Sequence, residues 1–139
     1  MGLVERIEGW ERRLERAVDL ARDRPYVEGE HNCGRFVCEA IEALTGVDRW
    51  PEFSAHATRR EALALLARHG STFEEAIDRL LGFERCSATL ARRGDLVCVR
   101  TDDGEAHLGV CLGADVALMG ARGLLFESLA HATCAWSVG

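Results

Sequence analysis

The feature that most constrains the fold is a change in hydrophobic periodicity near residue 93. Before it, apolar residues recur at helical spacing between charged residues. After it, short apolar runs rich in Val and Cys alternate with glycine-containing turns. Helices that are segregated from sequential hairpins are typical of the α+β class, so we expect N-terminal helices packed on a C-terminal antiparallel sheet. A chain of 139 residues can bury one core, and we expect a single domain over residues 1–139.

Apolar periodicity and capping signals predict four helices, and alternation with turn signals predicts the strands. Asn32 is a good N-cap for the second helix, which makes Cys33 its first residue. The predicted helices are Leu3 to Ala21, Cys33 to Thr45, Thr58 to Gly70 and Ser71 to Gly82. The predicted strands are Leu96 to Arg100, Glu105 to Leu112, Val116 to Met119, Leu124 to Leu129, and an edge strand from Cys134 to Val138.

Composition excludes several classes of function. The hydrophobic share of 47% and charged share of 29% are those of an ordinary globular protein. A formal net charge of −6 argues against a nucleic-acid surface. There is no apolar run of membrane-spanning length, so we expect no membrane insertion. No stretch resembles a signal peptide, so we expect synthesis in the cytoplasm.

The cysteines are more consistent with buried thiols than with a disulfide framework or a metal site. Cys38, Cys98, Cys111 and Cys134 lie in apolar runs, where free cysteine packs as a small hydrophobe. No Cys-x-x-Cys spacing supports zinc, so we expect neither a metal nor another cofactor.

Cys33 and His107 are the candidates for chemistry. A thiol at a helix N-terminus is readily ionised, and an imidazole from another element can complete its activation. Strand alternation puts Leu108 and Val110 on one face and His107 with small neighbours on the other, so we hypothesise that this small-residue face receives the start of the Cys33 helix. The alternatives are a buried structural thiol and a histidine exposed at the Asp103-Gly104 hairpin.

Four sequence blocks resemble the NlpC-type papain-like cysteine peptidases. In chain order they are Pro25-Tyr26-x-x-Gly29, Asn32-Cys33-Gly-Arg-Phe36, Arg93-Gly-Asp-Leu-Val97 and His107-Leu-Gly-Val-x-Leu-Gly113. The compact length, the leading Trp10 helix and the closing Ala135-Trp136 are similar to phage-encoded domains of this kind, which are found among tail genes.

This resemblance implies a papain-like fold and a cell-wall hydrolase that cuts amide bonds in peptidoglycan stem peptides through a cysteine acyl-enzyme. Cys33 would be the nucleophile and His107 the base, with the Cys33 N–H at the oxyanion. Tyr26 and Asn32 would contact the substrate or the oxyanion, Asn32 standing where the family usually has Asp. The protein would be carried in a phage-like tail, act in the periplasm or cell wall, and have tail hub or baseplate proteins as further partners.

One departure from the family pattern bears on activity. Relatives place His, Asn or Gln about twelve residues after the catalytic histidine, where this chain has Met119. A thioether orients an imidazole poorly, so the role would fall to a backbone carbonyl or to a residue such as Glu127, or the enzyme would be a dyad. The alternatives to a hydrolase are an inactive structural component of a tail tip or baseplate with the same fold, and an acyltransferase or amidase on this scaffold.

Overall fold

The computed structural model describes residues 5–25, 33–52 and 59–139. In these ranges the helices are α1 (Trp10–Arg22), α2 (Cys33–Thr45), α3 (Arg59–His69) and α4 (Phe73–Leu81). The strands are β1 (Glu84–Cys86), β2 (Leu96–Arg100), β3 (Ala106–Cys111), β4 (Asp115–Gly120), β5 (Gly123–Ser128) and β6 (Ala132–Ser137). They form one antiparallel sheet in the order β1-β6-β2-β3-β4-β5. The prediction of an α+β chain with helices preceding an antiparallel sheet is confirmed.

Helix α1 is shorter than predicted. Gly9 has φ 79° and α1 begins at the next residue, while the Ile7 N–H donates to the Leu44 carbonyl over 2.8 Å. Ile7 therefore belongs to a lead-in bound to the end of α2, although its spacing fits the helical pattern. None of the helices among the described residues has the length and apolar character needed to cross a bilayer.

Helix α4 begins at Phe73, two residues after the predicted start at Ser71. Thr72 is the N-cap, and its hydroxyl accepts a hydrogen bond from the Glu75 N–H over 3.1 Å. The Glu75 carboxylate in turn accepts bonds from the N–H and hydroxyl of Ser71. Thr72 therefore caps the helix, whereas the Glu75 carboxylate binds Ser71, the residue before the N-cap, so these bonds do not form the reciprocal pair of a capping box.

The predicted edge position of the last strand is wrong. Strand β1 pairs with β6, so β6 lies between β1 and β2, and the edges of the sheet are β1 and β5. Strand β1 is only three residues long and has no apolar alternation, which is why the sequence did not reveal it.

The two faces of the sheet have different coverings. The stripes of α1, α2 and α4 pack on one face in a single core that includes Leu96, Cys98, Leu108, Val110 and Trp136. The other face carries a smaller cluster of Val97, Val99, Cys111, Val116 and Ala135, against which loop residues such as Ala91 and Leu129 pack. The predicted alternation along β3 is confirmed by this division.

A buried ion pair ties the N-terminal lead-in to the sheet. Asp95 is only 1% exposed, and its Oδ1 lies 2.9 Å from Nη2 of Arg6. Oδ1 also accepts the Val138 N–H over 3.0 Å, and Oδ2 accepts the Arg92 N–H over 2.8 Å. Burial lowers the pKa of Arg6, and the Asp95 charge opposes that shift. The aspartate of the Gly-Asp-Leu block therefore has a structural role.

Candidate functional site

Cys33 is the first residue of α2, as predicted. Its side chain lies outside the described residues, as do Tyr26 and Asn32. The rest of the helix is well fixed, because its apolar stripe is buried along the whole length and it ends at Thr45, before Gly46 with φ 79°. The buried stripe residues are Phe36, Val37, Ala40, Ile41 and Leu44.

The C-terminal end of α2 lies where β3 ends. The Leu44 side chain lies 2.9 Å from the position a Cβ would take at Gly94, whose N–H donates to the Cys111 carbonyl over 2.7 Å. A helix of 13 residues is about 20 Å long, and β3 with 6 residues has a similar length, about 20 Å. Because α2 packs along β3, its first residue lies toward the end of the sheet at which β3 begins. That end carries His107.

Helix α1 supports the same orientation. It runs antiparallel to α2, because Nε of Arg13 donates to the Ala43 carbonyl over 2.9 Å and Arg24, just beyond α1, pairs with Glu39 at 2.7 Å. The end of α1 also lies against Gly123 in the β4–β5 turn, which is at the end of the sheet where β3 begins. The structure therefore brings the first residue of α2 and His107 to one end of the sheet.

His107 nevertheless belongs to the face of the sheet that α2 does not cover. Leu108 and Val110 lie in the core beneath the helices, whereas Cys111 lies in the cluster on the opposite face. The hypothesis that the small-residue face receives α2 is therefore wrong. The helix has a wide stripe of large apolar side chains, and it packs on the face that offers large apolar partners.

The hairpin preceding β3 places a carboxylate near His107. The pKa of Asp103 is lowered, first by the hydroxyl of Thr101, then by the Glu105 N–H, with a smaller contribution from the charge of His107. His107 itself is half-buried. This environment is closer to the alternative of a hairpin histidine than to a ring enclosed beneath a helix.

Gly109 accommodates the neighbouring strand. A Cβ at this position would lie 2.5 Å from Cδ2 of Leu118 and 2.8 Å from both the Ala117 carbonyl oxygen and Cγ1 of Val116. The close approach that this glycine permits is therefore with β4, and neither α2 nor a ligand is needed to explain it.

Met119 and Glu127, the two residues considered for the orientation of His107, contact other parts of the protein. Met119 is partly buried against the core beneath the helices. Glu127 pairs in register with Val116, next to Cys111 at the far end of β3, and it contacts Nδ1 of His131 at 3.1 Å. Four residues of strand, roughly 13 Å, separate that end from His107. The suggestion that Glu127 orients His107 is therefore wrong.

The five cysteines whose side chains are described all have free thiols with a raised pKa, and burial is the largest cause in each. Cys38 reaches about 12 and Cys134 about 11. Such thiols stay protonated near neutral pH and are poor nucleophiles. The prediction of buried packing thiols is confirmed for Cys38, Cys98 and Cys111, which are at most 1% exposed. Within the described ranges, no group of three or more His, Cys, Asp or Glu side chains is arranged to hold a metal.

Sequence reasoning missed an open groove where β1 and β6 meet the start of α4. Its volume is about 430 Å³. One of its walls is formed by β1 and the residue after it, and β1 has no sequence signal of its own. The lining residues are Glu74, Arg85, Cys86, Ser87, Thr133 and Cys134.

A family model described as a domain of unknown function (DUF6950) matches residues 5–138. The chain belongs to the DUF6950 family. The DUF6950 match includes Cys33, His107 and Met119 together with the helices and the whole sheet. No curated protein matches the sequence.

Proposed function

We propose that this DUF6950 chain is a papain-like cysteine hydrolase of the NlpC type that cleaves a peptide or amide bond in peptidoglycan stem peptides. The observation that carries the proposal is the common location of two elements. The helix that begins with Cys33 and the strand that begins with Ala106-His107 start at the same end of the sheet. A helix-borne thiol and a strand-borne imidazole at one edge are the components that covalent catalysis by cysteine requires.

The helix supplies the activation of the thiol. The N–H groups of the first turn of α2 and the positive end of its dipole favour the thiolate of Cys33. The first turn carries no acidic residue that would oppose this effect. The other described thiols have their pKa values raised by burial, so Cys33 is the cysteine best suited to attack a carbonyl.

The proposed reaction proceeds through an acyl-enzyme. His107 takes the proton of Cys33, the sulfur bonds to the carbonyl carbon, and the oxyanion accepts the Cys33 N–H. His107 then protonates the leaving amine as the C–N bond breaks. Water, deprotonated by His107, attacks the thioester, and the thiol is released with the acid product. Tyr26 and Asn32, which precede the helix, would contact the substrate or the oxyanion.

The reaction requires the ring of His107 to turn around the start of β3 toward α2. In the described sheet the β3–β4 ladder pairs Val110 with Ala117 and Cys111 with Val116, so the first residues of β3 lie beyond this ladder. His107 is the second residue of the strand. On its other side His107 pairs with Val99 of β2, so this position is held by one neighbouring strand only. Such a position is less constrained than one between two ladders, which supports the reorientation.

The context we propose is delivery by a phage-like tail. The protein would be made in the cytoplasm, carried in the particle beside tail hub or baseplate proteins, and act in the periplasm or cell wall. Stem peptides would be the substrate, and no cofactor is required because the acyl transfer uses side chains alone.

Alkylation kinetics and peptidoglycan digestion test the proposal. Iodoacetamide at neutral pH should label Cys33 faster than the other thiols, as mapped by mass spectrometry of tryptic peptides. Cys33→Ala should abolish the release of new amines from purified peptidoglycan, and His107→Ala should nearly abolish it. Cys86→Ala removes another incompletely buried thiol and should leave release unchanged. Equal labelling of all accessible thiols, with release unaffected by Cys33→Ala, would refute the hydrolase.

A structural tail component with the same fold is the second candidate. It is favoured by the position of His107 on the face away from α2 and by Met119 in the place of a polar orienting residue. This candidate predicts that the wild-type protein releases no amines although it is folded by circular dichroism, and that Cys33→Ala assembles into tail particles as well as the wild type.

A further inference from the structure

Cys98 and Cys134 are direct partners across the antiparallel pair of β2 and β6. Directly opposed residues in such a pair have Cα atoms about 4.5 or 5.5 Å apart. Both separations fall within the roughly 4.4–6.8 Å that a disulfide spans. The two side chains are on the same face of the sheet, against the core beneath the helices, and the thiols are close enough to hydrogen-bond.

The two thiols differ in their access to solvent. Cys98 is fully buried, whereas Cys134 is partly exposed and lines the groove of about 430 Å³ at the β1–β6 edge. Arg85 lies in the same groove and favours the thiolate of Cys134. A small oxidant can therefore reach Cys134, and the buried Cys98 can then act as the resolving thiol.

The sheet is irregular beside this pair. The register of β2 and β6 shifts between Cys98 and Val99, and the hydroxyl of the extra residue, Thr133, donates to the Cys98 carbonyl over 3.3 Å. A bulge disrupts the hydrogen-bond ladder locally and bends the strand. The strands can therefore adjust to a covalent link here more easily than in a regular ladder.

We propose that Cys98 and Cys134 form a reversible cross-strand disulfide on exposure to a small disulfide oxidant such as oxidised glutathione. The Cys134 thiolate attacks one sulfur of the oxidant, which forms a mixed disulfide and expels one glutathione thiolate. The Cys98 thiolate then attacks the Cys134 sulfur, forms the protein disulfide and expels the second glutathione thiolate. The two protein thiols lose two protons and two electrons, and the oxidant is reduced to two thiols.

The bond would connect β2 to β6 and thereby fix the position of the strand that holds β1. Burial raises the pKa of both thiols, so the exchange should accelerate as the pH is raised from 7 toward 9. The charged groups facing Cys134 are Glu74, which opposes the thiolate, and Arg85, which favours it.

Peptide mapping of the full-length protein tests the proposal. After incubation with oxidised glutathione and blocking of free thiols with iodoacetamide, trypsin should give a cross-linked pair of peptides spanning residues 94–100 and 123–139. The pair should be two hydrogens lighter than the sum of its peptides, and dithiothreitol should separate it. The Cys33 and Cys111 peptides have different sequences, so other products are distinguishable.

Two variants act as controls. Cys134→Ser should abolish the cross-link, and Cys86→Ser, at the other thiol of the groove, should leave its yield unchanged. Circular dichroism verifies that both variants are folded. A stable glutathione adduct on Cys134, a link between Cys86 and Cys134, or unmodified thiols in the wild type at pH 9 would each overturn the proposal.

Discussion

Replacing Asp95 with Asn should strongly destabilise the protein. The carboxylate is 1% exposed, and it pairs with Arg6 and accepts the backbone N–H groups of Arg92 and Val138. Asn has nearly the same shape, so the packing is preserved. The amide nitrogen of Asn is itself a donor, however, and in this site it must face other donors. These are the N–H of Arg92 on one side, or the Arg6 guanidinium and the Val138 N–H on the other.

The size of the loss in unfolding free energy follows from the Arg6 charge, which would remain without its partner. The Arg6 side chain is 10% exposed, and it would remain charged without its partner. Removing one member of a buried ion pair costs about 3–5 kcal/mol. Against a typical unfolding free energy of about 5–15 kcal/mol, this loss would remove between about a fifth and all of the stability.

Urea unfolding measures the loss as a change in midpoint at constant slope. Asp102→Asn removes an exposed carboxylate and should change the free energy by less than about 0.5 kcal/mol. Adding Arg6→Met to Asp95→Asn should recover part of the loss, because no unpaired charge is then buried. A loss below about 1 kcal/mol for Asp95→Asn, or strict additivity in the double variant, would refute the reasoning.

Two further predictions concern buried positions. Burial raises the pKa of Cys38 to about 12, above that of a thiol in the unfolded chain. The contribution of the Cys38 thiol to stability is therefore fully present below about pH 8.5 and declines as the pH rises. The free energy of unfolding falls by at most about 1.4 kcal/mol for each pH unit. Cys38→Ala should therefore flatten the decline in urea midpoint between pH 8.5 and 10, and parallel curves for the two proteins would contradict this. Gly109→Ala should cost about 1–3 kcal/mol in the same assay, because the added methyl overlaps Leu118 and the Ala117 carbonyl. A loss of unfolding free energy below about 0.5 kcal/mol would show that β4 can move aside for the methyl group at little cost.

Elements with local signals were predictable from the sequence. The bounds of α2 follow from an apolar stripe and from Gly46, whose φ of 79° favours a residue without a Cβ. The strand Leu96–Arg100 and the β4–β5 hairpin follow in the same way from short apolar runs and turn glycines. Each signal lies within the element or next to it, so tertiary context did not need to be known.

Elements that depend on distant partners were not predictable. The three residues of β1 become a strand because β6, about fifty residues later, offers them an edge. Missing β1 made β6 look like an edge strand. The same limit applies to the site, because alternation shows that His107 and Cys111 share a face but does not show which face α2 covers. That choice depends on which residues of the other strands join Leu108 and Val110 beneath the helix stripe, and only the folded chain reveals this arrangement.

The structure also changes the weight that each block of the peptidase resemblance carries. Asp95 in the Gly-Asp-Leu block holds Arg6, and Gly109 in the His-x-Gly block makes room for Leu118. Both have a structural role whether or not the protein is an enzyme, so neither discriminates between a hydrolase and a structural relative. The discrimination rests on Cys33 and His107 alone. Because the proposed chemistry needs a thiolate before it needs a base, the alkylation rate of Cys33 is the measurement that separates the two functions most directly.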